Sequence, residues 1–185
     1  MTASSTFSAT DGHGYELQMG RWSRRLAGPF LDFVGVEDGE SVLDLGCGTG
    51  CLAQALTQRC HVKQVRGIDF SAAYIDYATR HNHDSRVTFD VGDACALAIP
   101  DHSFGRVLAL LMLHFVPKVD QAIAEMRRVA RPGAVVGAAV WDARGGFVAN
   151  RIFFDTAAAL DPRANERRAR NYTRPMTRPG ELAKA

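Results

Sequence analysis

Residues 41–56, SVLDLGCGTGCLAQAL, place a short apolar run, an aspartate and three alternate glycines directly before a helical pattern. Few arrangements constrain a chain more. An apolar strand that turns sharply into a helix belongs to a strand-helix-strand unit, and glycines at the turn let backbone come close to a ligand or a neighbouring element. Gly46 and Gly48 permit positive φ and remove Cβ atoms that would block a ligand, while Gly50 lets the next helix pack closely on its strand. A phosphate-binding loop would need Gly-Lys-Ser/Thr, but Cys51-Leu52 follows here. A dinucleotide fingerprint would need G-x-G-x-x-G, whose last position is Cys51; the turn reads G-x-G-x-G.

The rest of the chain repeats the alternation. Strands are expected at 41–45, 64–69, 86–92, 106–113 and 134–141, with helices at 51–59, 72–82, 118–130 and 147–160. The helix over 118–130 carries Val119, Ile123, Met126 and Val129 at helical spacing, and is expected to stop at Arg131-Pro132-Gly133. Upstream, YELQMGRWSRRLAGPFLDFVGV reads as two helical pieces broken around Gly28-Pro29, with an apolar face that includes Trp22, Leu26, Phe30, Leu31 and Phe33. Strands apolar on both faces and separated by helices imply a parallel sheet covered on both sides, a doubly wound α/β domain.

Four segments follow: a flexible N-terminus at 1–14, a helical lid at 15–36, the α/β domain at 37–162 and a basic tail at 163–185. The tail holds seven Lys or Arg against Glu166 and Glu181, yet it is rich in Pro and Gly and poor in aromatics, so it reads as a solvated connector and no nucleic-acid partner is expected. No apolar run approaches the ~18 residues of a membrane span, and the N-terminus lacks the pattern of a secretory signal, so the expected location is cytoplasmic. Cys47, Cys51, Cys60 and Cys95 form no C-x-x-C pair and read as reduced, small apolar residues rather than metal ligands.

Three acids narrow the ligand. Asp44, Asp69 and Asp93 fall at or near the ends of the first three expected strands, facing one cleft. Asp69 can accept both hydrogens of a ribose diol, Asp93 suits an exocyclic adenine amine, and Asp44 can hold the turn's amides or approach an ammonium group. A ligand with a ribose, an adenine and a positive charge suits three carboxylates better than a pyrophosphate does.

These segments resemble the class I S-adenosylmethionine-dependent methyltransferases. VLDLGCGTG is similar to the family's first motif, GIDFS to its acidic second-strand motif, VGDACALAIPDHSFGRVLALLMLHFV to the motifs of strands three and four, and MRRVARPGAVV to the approach to strand five. The likeness runs over roughly residues 15–142. It implies a Rossmann-like sheet in the order 3-2-1-4-5 and S-adenosyl-L-methionine as cofactor. It also implies that Asp44, Gly46, Cys47 and Gly48 surround the methionine portion, Asp69 holds the ribose, Phe70 flanks the adenine, and Asp93 with the amide of Ala94 reaches its edge. Leu110 and Leu111 would line the methionine side. YELQMGRWS is similar to a pocket-closing segment of one branch, in which Tyr15 would face the sulfonium and Arg21 would pair with the cofactor carboxylate.

The implied activity is in-line methyl transfer to a small-molecule acceptor, a reaction that needs positioning more than acid-base chemistry. His114 and Tyr15 are the candidate catalytic groups, although a lone histidine beside Leu113 and Phe115 equally reads as a packed side chain. The family's last two strands have no counterpart after residue 160. That leaves 134–141 as an apolar sheet edge and points to a truncated form or to a second copy covering the edge as a homodimer. The alternatives are an inactive cofactor-binding or interaction module and, third, an NAD(P)-dependent oxidoreductase of related fold.

Overall fold

The computed structural model describes residues 11–142 and 145–184. At its centre lies a five-stranded parallel sheet in the order β3-β2-β1-β4-β5: β1 Ser41–Leu45, β2 Gln64–Asp69, β3 Val87–Val91, β4 Phe104–Leu110 and β5 Ala130–Ala139. The chain moves outward from β1 to β2 and β3, then returns to the other side for β4 and β5. The direction therefore reverses between β1 and β4, which opens a crevice at the carboxyl ends of the strands. Register brings those ends together, with Leu45 beside Ile68, Asp69 beside Val91, and Leu110 beside Ala139.

Alternation along the strands sorts the core into two layers. Leu43, Leu45, Val107 and Ala109 face α5 (Val119–Val129), where Ala122, Met126 and Val129 are buried. Val42, Val65 and Leu108 face the opposite layer, built by α2 (Arg21–Val34) and α3 (Cys51–Arg59) through Ala27, Phe30, Leu31, Leu52 and Leu56. The fourth helix, α4 (Ala72–His81), is capped by Ser71, whose Oγ accepts from the Tyr74 amide. Ahead of α2 come α1 (Gly12–Tyr15), capped by Asp11, and a wide turn of helix over Glu16–Gly20.

Several expectations change. Gly28-Pro29 does not break the lid helix: α2 runs through Pro29, because Ala27, Phe30, Leu31 and Val34 form one uninterrupted buried stripe and hold the turn in place. Trp22 and Phe33 lie off that stripe and are exposed, with the guanidinium groups of Arg21 and Arg25 over the Trp22 ring at 5.0 and 5.6 Å. Arg131-Pro132-Gly133 is no turn but the irregular start of β5, where the register against β4 slips between Phe104 and Arg106. An edge strand tolerates this proline, whose missing N–H can face away from the sheet. Asp11–Gly14, expected to be mobile, is a capped helical turn whose Gly12 packs on Tyr77 of α4; residues 1–10 lie outside the described residues.

Beyond β5 come α6 (Val148–Leu160) and α7 (Ala164–Tyr172). The basic segment is thus partly helical, and its last stretch returns to the body: Thr177 is buried and Leu182 packs on the core layer of α5. No strand follows β5 among the described residues, so β5 is a sheet edge, with Val135 and Val136 exposed. No described helix is long and apolar enough to cross a membrane.

Candidate cofactor site

The glycine turn hands over from β1 to α3 at the crevice, and each glycine has its own reason. At Gly46, φ is +72° and a Cβ would meet Met112 at 2.2 Å, so the space belongs to a side chain of this protein and not to a ligand. At Gly48, φ is +55° and a Cβ would meet only Tyr74 at 3.9 Å; backbone conformation selects the glycine there and the surface above it stays open. At Gly50, φ is +89° and the close neighbour is Phe89 of β3 at 2.9 Å, which confirms close packing although against a different element from the strand expected. Leu111, just past β4, also has a positive φ, +60°, held by a bond from its amide to the Ala139 carbonyl at 2.7 Å. Such backbone collects where a site needs it.

Above the turn opens a cavity of about 650 Å³, well within the range of small-molecule sites. Gly46, Gly48, Asp69, Phe70, Asp93 and Ala94 line one end, and Leu110, Leu111, Tyr15 and His114 continue the wall. Asp69 ties the end of β2 to the turn, its carboxylate accepting from the Gly48 amide at 2.9 Å and the Ser71 amide at 2.8 Å. Burial raises its pKa against the pull of those amides. Asp93 accepts from the Cys95 amide at 2.8 Å. Both carboxylates keep lone pairs for a ligand. Phe70 is 52% exposed and presents a ring to the opening.

Asp44 and Cys47 lie beneath the floor instead of lining it. Asp44 is 1% exposed and neither of its oxygens has a formed hydrogen bond among the described residues. Burial, and then the charge of Asp69, pushes its pKa up to about 7, against a weaker opposing contribution from the Ala53 amide. Burial likewise raises the Cys47 thiol and takes Cys51 up to about 12. Arg21 is not brought to the cavity; it is exposed over Trp22.

The lid is held at both ends of this site. Tyr15 Oη shares a hydrogen bond with Ser23 Oγ at 3.1 Å, and its ring meets Tyr74 at 5.1 Å. Burial raises the Tyr15 pKa. Glu16 accepts from Thr49 Oγ1 of the glycine turn and pairs with Arg24. The far end of α2 is fixed by Arg106, which donates to the Val34 carbonyl and forks onto Glu40 at 2.7 and 2.9 Å, buried in the protein.

The cavity is lined by bare backbone and carboxylates, with no lysine among its described lining residues. A family model described as a methyltransferase domain matches residues 43–137, half of the chain. The chain belongs to the class I S-adenosylmethionine-dependent methyltransferase family. Its relatives include a fatty-acid O-methyltransferase of Mycolicibacterium smegmatis, 33% identical over 96 residues, covering 52% of this chain and 35% of that protein. A demethylmenaquinone methyltransferase of Renibacterium salmoninarum is 36% identical over 116 residues, covering 63% and 46%. Among solved structures, a methyltransferase complexed with the Haloferax volcanii Trm112 activator has a TM-score of 0.65 at 24% identity, covering 72% of this chain and 62% of that one, a likeness of fold. The chain spans less than half of the length of these curated relatives.

The cavity also draws on residues that the sequence did not single out. Met112, beside Gly46, lines it as well, as do Trp141, Phe147, Arg174 and Thr177 from later in the chain. Arg174 comes from the basic segment after α7, where composition signals only solvation; the one available hint was that Thr177 and Leu182 interrupt its charge.

Proposed function

We propose that this chain transfers the sulfonium methyl of S-adenosyl-L-methionine to a small-molecule acceptor. The observation that carries this reading is the fully buried Asp44 carboxylate, without a formed hydrogen bond among the described residues, under a floor of bare backbone, with Asp69 and Asp93 at the rim. Such a set fits a cationic nucleoside and disfavours a pyrophosphate, whose charge would meet three acids. The NAD(P)-dependent alternative therefore loses ground.

In this reading the sulfonium supplies an already activated methyl group. Asp69 holds the ribose hydroxyls, Asp93 and the Ala94 amide meet the adenine edge, and Phe70 covers its face. Gly46 and Gly48 keep the backbone flat beneath the methionine portion, while Asp44 and Cys47 support it from below. Asp44, ionised, favours positive charge above it. Leu110, Leu111 and Tyr15 exclude water from the reacting centre. His114, kept neutral by burial, can accept a proton from the acceptor where one must leave. The relatives' printed names include acceptors that are fatty acids and quinones, which supports a small organic acceptor. The reduced thiols agree with a cytoplasmic location, and the open β5 edge offers a surface for a homodimer, checked by sedimentation.

Thermal unfolding with and without S-adenosylhomocysteine tests the reading. A clear rise in Tm for the parent and little for Asp69→Ala is expected. Equal shifts in both would remove Asp69 from the ribose role, and no shift in the parent would remove the cofactor.

A further inference from the structure

The far end of the cavity has a different character from the acidic rim. His114 is 2% exposed, and both ring nitrogens lack a hydrogen-bond partner among the described residues. Its ring lies 4.1 Å from that of Phe115, and the Arg174 guanidinium sits over Phe115 at 4.8 Å. Arg174 is half-buried, and among the described residues no carboxylate pairs with it and no acceptor takes its guanidinium protons. Trp141 and Phe147, which line the same cavity, stack at 4.9 Å with 17° between their planes, and Asn150 adds an amide. All of these line one space.

A half-buried cation held by one aromatic face and no anion is an incomplete site. Partial desolvation weakens its own hydration without replacing it, which lowers the Arg174 pKa and leaves its planar fork free for a carboxylate. The flat walls favour a flat ligand.

We propose that Arg174 is the specificity-determining residue of this methyltransferase: it reads a carboxylate on an aromatic methyl acceptor held between Phe115 and the Trp141-Phe147 pair, with the acceptor's hydroxyl turned to His114. The proposal rests on the methyl-transfer reading for calling the ligand an acceptor. A carboxylate could also come from the cofactor's own amino-acid end. The acceptor is the better assignment, because Arg174, Phe115, Trp141 and Phe147 all belong to the segments that follow β4 and β5, whereas the acids flank β1, β2 and β3.

The test uses the full chain with 3-hydroxy-2-naphthoate and its uncharged amide, titrated by calorimetry with and without saturating S-adenosylhomocysteine. The parent is expected to bind the naphthoate at least ten-fold tighter than the amide. Arg174→Gln should abolish that preference and Arg174→Lys should retain part of it, with circular dichroism and Tm showing that both variants fold. Equal binding of the two probes by the parent, or binding of neither, overturns the proposal. So does an Arg174→Gln variant that keeps the preference but loses S-adenosylhomocysteine affinity, which would assign Arg174 to the cofactor carboxylate. A parent that prefers the naphthoate yet never binds S-adenosylhomocysteine would instead sink the methyl-transfer reading and leave the anion seat standing.

Discussion

The two ends of the cavity are built by opposite means. The end formed by β1, β2 and β3 is over-determined: Asp69 is clasped by two amides, the glycine turn is wedged by Met112 and Phe89, and the lid is tied down through Glu16 and Thr49. The side formed after β4 and β5 leaves His114 and the Arg174 guanidinium without hydrogen-bond partners among the described residues, and passes into α6, none of whose residues is buried and whose Phe153 is 65% exposed. A cofactor common to a whole family calls for a rigid seat. An acceptor that differs from member to member is met by segments whose contacts are still open, and this is where changes of sequence can alter specificity at small cost in stability.

Gly46→Val should have the largest effect. The left-handed backbone and the overlap with Met112 at 2.2 Å should together cost about 3 kcal/mol or more. Urea unfolding should show that loss, and S-adenosylhomocysteine binding should vanish. A stable, binding-competent variant would show that the turn is not wedged.

Asp44→Asn should separate stability from binding. Asp44's folded pKa is raised from 3.8 to about 7, so its stabilising contribution is present below the unfolded value and lost as pH rises through 7. Above pH 7 the unliganded Asn variant is therefore expected to be more stable than the parent, by on the order of 2 kcal/mol. Its affinity for S-adenosylmethionine should fall at least ten-fold, and more than its affinity for S-adenosylhomocysteine, which lacks the sulfonium charge. Loss of both stability and affinity would contradict the picture.

His114 runs the other way. Burial, and then Arg174, lowers its folded pKa from 6.5 to about 4, so its contribution is present above pH 6.5 and lost as pH falls through 4. His114→Gln should flatten the acid limb of a Tm-against-pH profile by about 1–2 kcal/mol. At the opposite extreme, Phe153→Ser on α6 should move Tm within the scatter of surface substitutions, about 0.5 kcal/mol. A large loss there would show that the outer helix is better packed than its exposure indicates.

Legibility in the sequence followed the same divide. The limits of β1, β2 and α3 coincide with the expected segments, since apolar alternation and the glycine turn are local signals. Pro29 and the Arg131-Pro132-Gly133 run misled, because tertiary burial of one helix face and the tolerance of an edge strand outweigh local breaker chemistry. Asp69 and Asp93 were readable as strand-end acids, whereas the depth of Asp44 was not: it depends on α3 and β2 closing over it. Arg21 was expected at the cavity on the strength of resemblance, yet the arginine found there is Arg174, far along the chain. No periodicity announces a contact made across such a separation.

The grip of Arg106 on Val34 and Glu40 has a mechanical result. One end of the first long helix is riveted by the Arg106 guanidinium, while the segment ahead of the other rests on side-chain contacts: Glu16 with the Thr49 hydroxyl, Tyr15 against Tyr74 and Gly12 against Tyr77. The segment bearing Tyr15 is therefore a door with a fixed hinge and a latch made of a few side-chain contacts. Traffic of nucleoside in and out should keep time with that latch, on the microsecond-to-millisecond scale of loop and hinge motion, and not with the far slower opening of the sheet.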